Sequence, residues 1–219
     1  MDTLQTSPLL VLISAPSGAG KTTLACGLLA ATPGMERVVT CTTRPPRGGE
    51  RDGVDYHFFQ RDEFERRVAA GAFLEHAEVY GNRYGTLKSS VLDRLKAGVD
   101  VVLSVDVQGA ETIRAVAAKD EAIGSALVSV FIMPASVEEL ERRLRGRNED
   151  SDAVVERRLA LARQEMEHWR QFQYLLLSGT REEDLASMQR VLLVERMRTH
   201  RMRVRGEGRF PRIGHVLGP

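Results

Sequence analysis

The stretch LLVLISAPSGAGKTTLACGLLAA, residues 9–31, constrains this chain more than any other. It begins with a short apolar run, Leu9 to Ser14, of the kind that forms a strand buried on both faces. It closes with apolar residues at helical spacing that stop at Pro33-Gly34. Between them stand Ala15, Pro16, Ser17, Gly18, Ala19, Gly20, Lys21 and Thr22, followed by Thr23. This matches the phosphate-loop pattern G-x-x-x-x-G-K-S/T, with Ala15 in place of the first glycine. Gly18 and Gly20 let the backbone turn its N–H groups inward, where they and the helix N-terminus attract phosphate oxygens. Lys21 adds positive charge for the terminal phosphates, and the Thr22 hydroxyl suits Mg²⁺. A chance glycine-rich turn would not also hold strand, lysine, threonine and helix in register.

Downstream, short apolar runs alternate with helical patterns. RVVTC (37–41), DVVLSVD (100–106), SALVSVFIM (125–133) and YLLLS (174–178) read as strands. Helical patterns cover 62–71, 87–98, 109–119, 136–147, 152–172 and 182–204; the fourth opens with Ser136 and Glu139 in capping-box spacing. Such alternation predicts an α/β fold, a parallel sheet with helices on both faces. Residues 44–86 break the rhythm with turn-linked short strands, joined at Gly81-Asn82, and are expected to form an inserted mixed or antiparallel lobe. The core is then 9–43 and 87–204, with a polar interruption near 145–152 inside a helical lid at about 136–160. Residues 1–8 are expected to be flexible and 205–219, rich in glycine and proline, disordered.

A net charge of +1, from 31 basic and 30 acidic residues, argues against a whole-protein nucleic-acid role. No apolar stretch is long enough to span a bilayer, and the polar opening carries no secretory pattern, so a cytoplasmic enzyme is expected. Cys26 and Cys41 lack metal-ligand spacing and read as buried, reduced thiols.

A second anion holder follows the first. TTRPPRGGERDGVDY, residues 42–56, sets Arg44 and Arg47 around a proline pair, and fork-shaped guanidinium donors suit a phosphate. Tyr56, and Tyr84 in NRYGT, add hydroxyl donors. Two phosphate holders so close imply two phosphorylated molecules brought face to face. Taken together, SAPSGAGKTT, TTRPPRGGERDGVDYHF, FLEHAEVYGNRYGT, DVQGA and RRLRGR, in this order over about residues 9–200, closely resemble the guanylate kinase family.

The resemblance implies a P-loop kinase core with a GMP-binding lobe and lid, and transfer of the γ-phosphoryl group of ATP, with Mg²⁺, to GMP or dGMP. Residues 15–23 then fall on ATP. Arg44, Arg47, Tyr56 and Tyr84 fall on the GMP phosphate. Glu75 and Asp106 fall where the family reads guanine, with Thr40, Gly85 and Thr86 around the base. Arg143, Arg147 and Arg158, with Lys21 and Arg44, fall on the reacting phosphates. A carboxylate accepts from two adjacent donors, as guanine N1–H and its amino group provide, which suits Glu75. Arg142 and Arg145 read as a salt-bridged helix face.

Three positions depart from the family pattern. Ser104 replaces the first acid of D-x-D, implying an altered metal site. Ser178-Gly179 replaces an Asn-Asp pair near the donor base, and Asn148 replaces a lid glycine. Two alternatives remain: a ribose bisphosphate phosphokinase on the same fold, which needs no guanine-reading carboxylate, and a non-catalytic phosphopeptide-binding module.

Overall fold

A computed structural model describes residues 3–79, 81–145 and 152–205. In chain order it gives β1 (Thr3–Thr6), β2 (Leu10–Ser14), α1 (Lys21–Ala31), β3 (Met35–Arg37), β4 (Cys41–Thr42), β5 (His57–Phe58), α2 (Arg61–Ala69), β6 (Phe73–Val79) and β7 (Asn82–Leu87). There follow α3 (Lys88–Lys96), β8 (Asp100–Ser104), α4 (Val107–Ala117), α5 (Glu121–Ala126), β9 (Leu127–Met133), α6 (Val137–Arg145), α7 (Asp152–Met166), β10 (Tyr174–Leu177), α8 (Arg181–Arg196) and β11 (Met202–Arg205).

Four of the apolar runs and the short β3 form one parallel sheet in the order β10-β9-β2-β8-β3. β2 is central and buried along its whole length. Leu10 sits opposite Val101 of β8 on one side and Leu127 of β9 on the other. Side chains alternate across the sheet, so the inner strands β2, β8 and β9 each feed two cores. Val11, Ile13, Val128 and Val130 pack with Leu24 and Leu28 of α1 and with Met188 and Leu192 of α8. Leu10, Leu12, Val101 and Leu103 pack with Val91 of α3 and with Ala110 and Ile113 of α4. A third, smaller cluster lies under the lobe, where Phe64 and Phe73 stack at 4.4 Å beside buried Cys41.

The lobe is a four-stranded mixed sheet, β5-β4-β7-β6, with β4 and β5 parallel and the other pairs antiparallel. Its sheet begins at Cys41 and ends at Leu87, slightly wider than the 44–86 expected from composition. The expected strand 37–41 is in fact split. β3 pairs with β8 in the core and β4 pairs with β7 in the lobe, so the chain changes sheets between Arg37 and Cys41.

The chain ends also depart from expectation. Residues 3–6, expected to be flexible, pair as β1 with β11, and the Ser7 N–H donates to the Arg201 carbonyl at 2.7 Å. The last helix stops at Arg196 rather than running to 204. Glu195, fully buried, pairs with Arg201 at 2.7 Å, which turns the chain back into β11. The residues after 205, expected to be disordered, lie outside the described residues. Cys26 is exposed on α1, contrary to expectation, because it falls on the helix face opposite Leu24, Ala25 and Leu28. Cys41 is buried, and that burial pushes its thiol up to about 12, which keeps it unreactive. Among the described residues, no helix is long and apolar enough to cross a membrane.

Candidate active site

At the C-terminal end of β2 the chain turns through the glycine-rich loop into α1. Gly18 has φ 90° and Gly20 has φ 98°, backbone angles that a side chain would strain. Gly18 is also crowded: a Cβ there would come 2.8 Å from Leu144 Cδ2. Ala15 and Ala19 are buried, so the loop is anchored in the core at both residues. Lys21 Nζ reaches back and donates to the Ala15 carbonyl at 2.5 Å. Burial lowers the Lys21 pKa from its ordinary value, while the negative charges of Glu165 and Asp106 work to raise it. The Ser17 N–H donates to Glu165 Oε2 at 3.1 Å, a contact spanning 148 residues of sequence. Thr22 and Thr23 are exposed on the first turn of α1.

In the lobe, Arg44 is fixed on several sides. Its Nη2 donates to both oxygens of Glu50, at 2.8 and 2.9 Å, and Nη1 donates to the Pro45 carbonyl at 2.7 Å. Its guanidinium lies 5.6 Å from the centre of the Tyr56 ring, and Glu50 first, with Tyr84 behind it, favours its charged form. The rings of Tyr56 and Tyr84 meet edge to face at 6.2 Å. Arg44, Tyr56 and Tyr84 are therefore together, as expected. Arg47 donates its backbone N–H to Glu50 Oε2 at 2.7 Å, while its side chain is exposed.

Glu75, on β6, is nearly buried and accepts from the Thr86 hydroxyl on β7 at 2.6 Å. Burial raises the Glu75 pKa; the Thr86 hydrogen bond opposes that rise and Asp106 adds to it. Asp106 caps α4 by accepting from the Gly109 N–H at 2.7 Å. A Cβ on Gly109 would stand 3.4 Å from both Glu75 Oε2 and Asp106 Oδ1, so the two carboxylates share one wall. Gly85 is a packing glycine: a Cβ there would meet Phe73 Cδ1 at 2.9 Å and the Glu75 carbonyl at 3.0 Å. Thr40 is half-buried, and its carbonyl accepts from the His57 N–H at 2.8 Å.

Beside the loop opens a cleft of about 760 Å³ lined by Gly20, Thr23, Arg143, Thr180, Arg181 and Leu185, among others. Arg143 Nε donates to Glu139 at 2.8 Å and Nη1 to Ser178 Oγ at 3.3 Å. Ser178 in turn donates to Asp184 at 3.0 Å. The capping box expected at Ser136 is half present. Ser136 Oγ accepts from the Glu139 N–H at 3.1 Å, but the Glu139 carboxylate goes to Arg142 and Arg143. Arg142 and Arg145 form the expected salt-bridged face, with Glu139 and with Glu141 and Asp152. Arg158 is half-buried on α7, and Arg147 and Asn148 lie outside the described residues.

Sequence reasoning missed Glu50, Glu165 and the start of α8. Glu50 carried a usable signal: it closes a turn on Arg47, its N–H donating to that carbonyl at 3.0 Å. Glu165 follows Ala162 by one helical turn, on the same stripe, but only tertiary structure brings that end of α7 to the loop.

A parallel sheet with a phosphate loop at its central strand, and a second cationic cradle in an inserted lobe, defines a P-loop kinase of the nucleoside monophosphate class. The family model described as guanylate kinase matches residues 7–195, and the chain belongs to the guanylate kinase family. It is 43% identical over 201 residues to a guanylate kinase of Paramagnetospirillum magneticum, covering 92% of this chain and 91% of that one. With a guanylate kinase of Alkalilimnicola ehrlichii it shares 47% identity over 192 residues, covering 88% and 91%. The crystal structure of guanylate kinase from Anaplasma phagocytophilum aligns with a TM-score of 0.69 at 33% identity, covering 91% of this chain and 92% of that one.

Proposed function

We propose that this kinase transfers the γ-phosphoryl group of ATP to GMP or dGMP, with residues 15–23 holding the donor and the lobe holding the acceptor. The observation that carries the reading is the Glu75–Thr86 pair, which shares a wall with Asp106, while Asp106 stands within electrostatic reach of Lys21. That link supports a base reader set near the phosphate loop.

Guanine presents N1–H and an amino group side by side, and Glu75 and Asp106 supply acceptors for them. Thr86 fixes the Glu75 carboxylate. Adenine offers an acceptor at N1 and would leave a buried charge unpaired, which in such sites discriminates by about 10⁴ or more. Arg44, Tyr56 and Tyr84, with Arg47 beside them, suit the acceptor phosphate, and Glu50 holds Arg44 in place.

The acceptor phosphate is already anionic, so no strong general base is required; positioning and charge cancellation carry the reaction. Lys21 and Arg44, with Arg143, Arg147 and Arg158, are the cations assigned to that task. Mg²⁺ takes only one or two protein oxygens beside phosphates and water, and the exposed Thr22 hydroxyl at the loop fits that donor set. When bound, the ion would neutralise charge on the donor's terminal phosphates. Ser104, also exposed, offers a second hydroxyl at the end of β8.

The test is a coupled ADP-release assay with ATP, Mg²⁺ and each nucleoside monophosphate in turn. Turnover is expected with GMP and dGMP and little with AMP, CMP or UMP. Equal rates with AMP and GMP would overturn the reading.

A further inference from the structure

In this structure the phosphate loop already holds an anion of its own. Glu165 Oε2 accepts from the Ser17 N–H at 3.1 Å. Its charge is the strongest influence opposing the effect of burial on Lys21. The contact is built rather than incidental. α7 lies on the core through Val155 and Ala162, both buried, with Leu159 packed beside them. Residue 165 continues that stripe one turn beyond Ala162, at the end of the helix that meets the loop. Arg158 lies two turns earlier on the same helix.

We propose that Glu165 is the resident anion of the loop, a carboxylate that any polyphosphate must displace before it binds. The inference rests on the reading of residues 15–23 as a phosphate holder. Inward N–H groups and a buried lysine are costly without a negative partner. Glu165 supplies one in the unliganded loop: it holds the Ser17 N–H and favours the charged form of Lys21. An incoming phosphate takes over both roles and sets the carboxylate free. The exchange lowers the affinity for every polyanion, product included. It also helps ADP leave, because the carboxylate competes for Ser17 as the β-phosphate withdraws. α7 thus brings to the loop one arginine assigned to the reacting phosphates and one acid that contests their place.

The experiment measures binding of inorganic pyrophosphate and of ADP by calorimetry to the full chain and to Glu165→Gln. The Ser17 amide is followed by ¹⁵N–¹H NMR. Losing a charge-assisted hydrogen bond that competes with the ligand should tighten both ligands by roughly tenfold. The Ser17 amide should shift in the unliganded variant, and pyrophosphate should produce the same kind of shift in the parent. Glu165→Asp keeps the charge but shortens the reach, and should tighten binding in the same direction. It stands in if the glutamine variant does not fold. Unchanged or weaker affinity in a variant that melts like the parent would overturn the proposal. If the parent binds no pyrophosphate, or binds it equally after Lys21→Ala, the reading of the loop itself fails as well.

Discussion

At Glu75, burial lifts the carboxyl above its ordinary 4.5, the Thr86 hydroxyl pulls it back and Asp106 pushes it up again. The ionised form is therefore disfavoured in the free fold. That penalty is present above the folded pKa and disappears as pH falls towards 4.5. Guanine donors reverse the balance, because they bond to the charged form. A ¹³C-carboxyl NMR titration of Glu75 should give a midpoint above 4.5 in the free protein, lower with GMP and unmoved by AMP. Equal shifts with both nucleotides would separate Glu75 from base reading. The loop glycines make a second pair of residue-scale expectations. Both have positive φ, so alanine at either costs about 1–2 kcal/mol of backbone strain. A Cβ at Gly20 meets nothing within 4 Å, whereas one at Gly18 meets Leu144 and Leu140. Urea unfolding should therefore show Gly18→Ala as the more destabilising of the two, and equal losses would mean that α6 gives way freely.

Elements were legible where local pattern and tertiary need agree. The apolar runs of β2, β8 and β9 are buried on both faces of one sheet, β10 lies at its edge with Leu175 and Leu177 exposed, and each was readable as a strand. β3 and β4 were not separable, because Arg37 to Cys41 is a continuous β-prone run and nothing in it marks the passage from one sheet to the other. The end of α8 was missed for a related reason: 182–204 has no Gly or Pro to stop a helix. The stop is instead the buried ion pair, which no local pattern reveals. Arg201 donates to Glu195 and to the carbonyls of Ser125 and Leu127, and Tyr174 and Arg198 also donate to Glu195. Burial alone would raise the Glu195 pKa, yet these three donors hold it below its ordinary value. A lowered carboxyl stabilises the fold above 4.5 and loses that contribution as pH falls through the folded pKa. Arg201→Met should cost about 3–5 kcal/mol near neutrality, since it strands a buried charge. Adding Glu195→Leu should recover part of that loss in the double variant, by denaturant unfolding. Strictly additive losses would show that the pair does not interact.

Over the whole molecule, both candidate anion cradles were legible in the sequence, but the carboxylates that meet them were not. Each cradle is local: Gly18 to Thr22 in one turn and Arg44 to Tyr56 in one loop, with Tyr84 following. Their partners come from different distances. Glu50 is near in sequence, whereas Glu165 arrives from the far end of the chain. The lobe has its own small core around Phe64 and Phe73, apart from the two cores of the parallel sheet. Donor and acceptor affinities should accordingly be separable by mutation. A ligand at 100 times its Kd stabilises the folded state by about 2.7 kcal/mol. For a chain of 219 residues, that corresponds to a rise of roughly 5–10 °C in Tm. GMP and ATP with Mg²⁺ should each produce such a rise in the parent. Arg44→Ala should abolish the GMP shift while keeping that of ATP, and Lys21→Ala should do the reverse. If either variant lost both shifts while melting like the parent without ligand, the cradles would be one cooperative unit. The division of labour between loop and lobe would then be wrong.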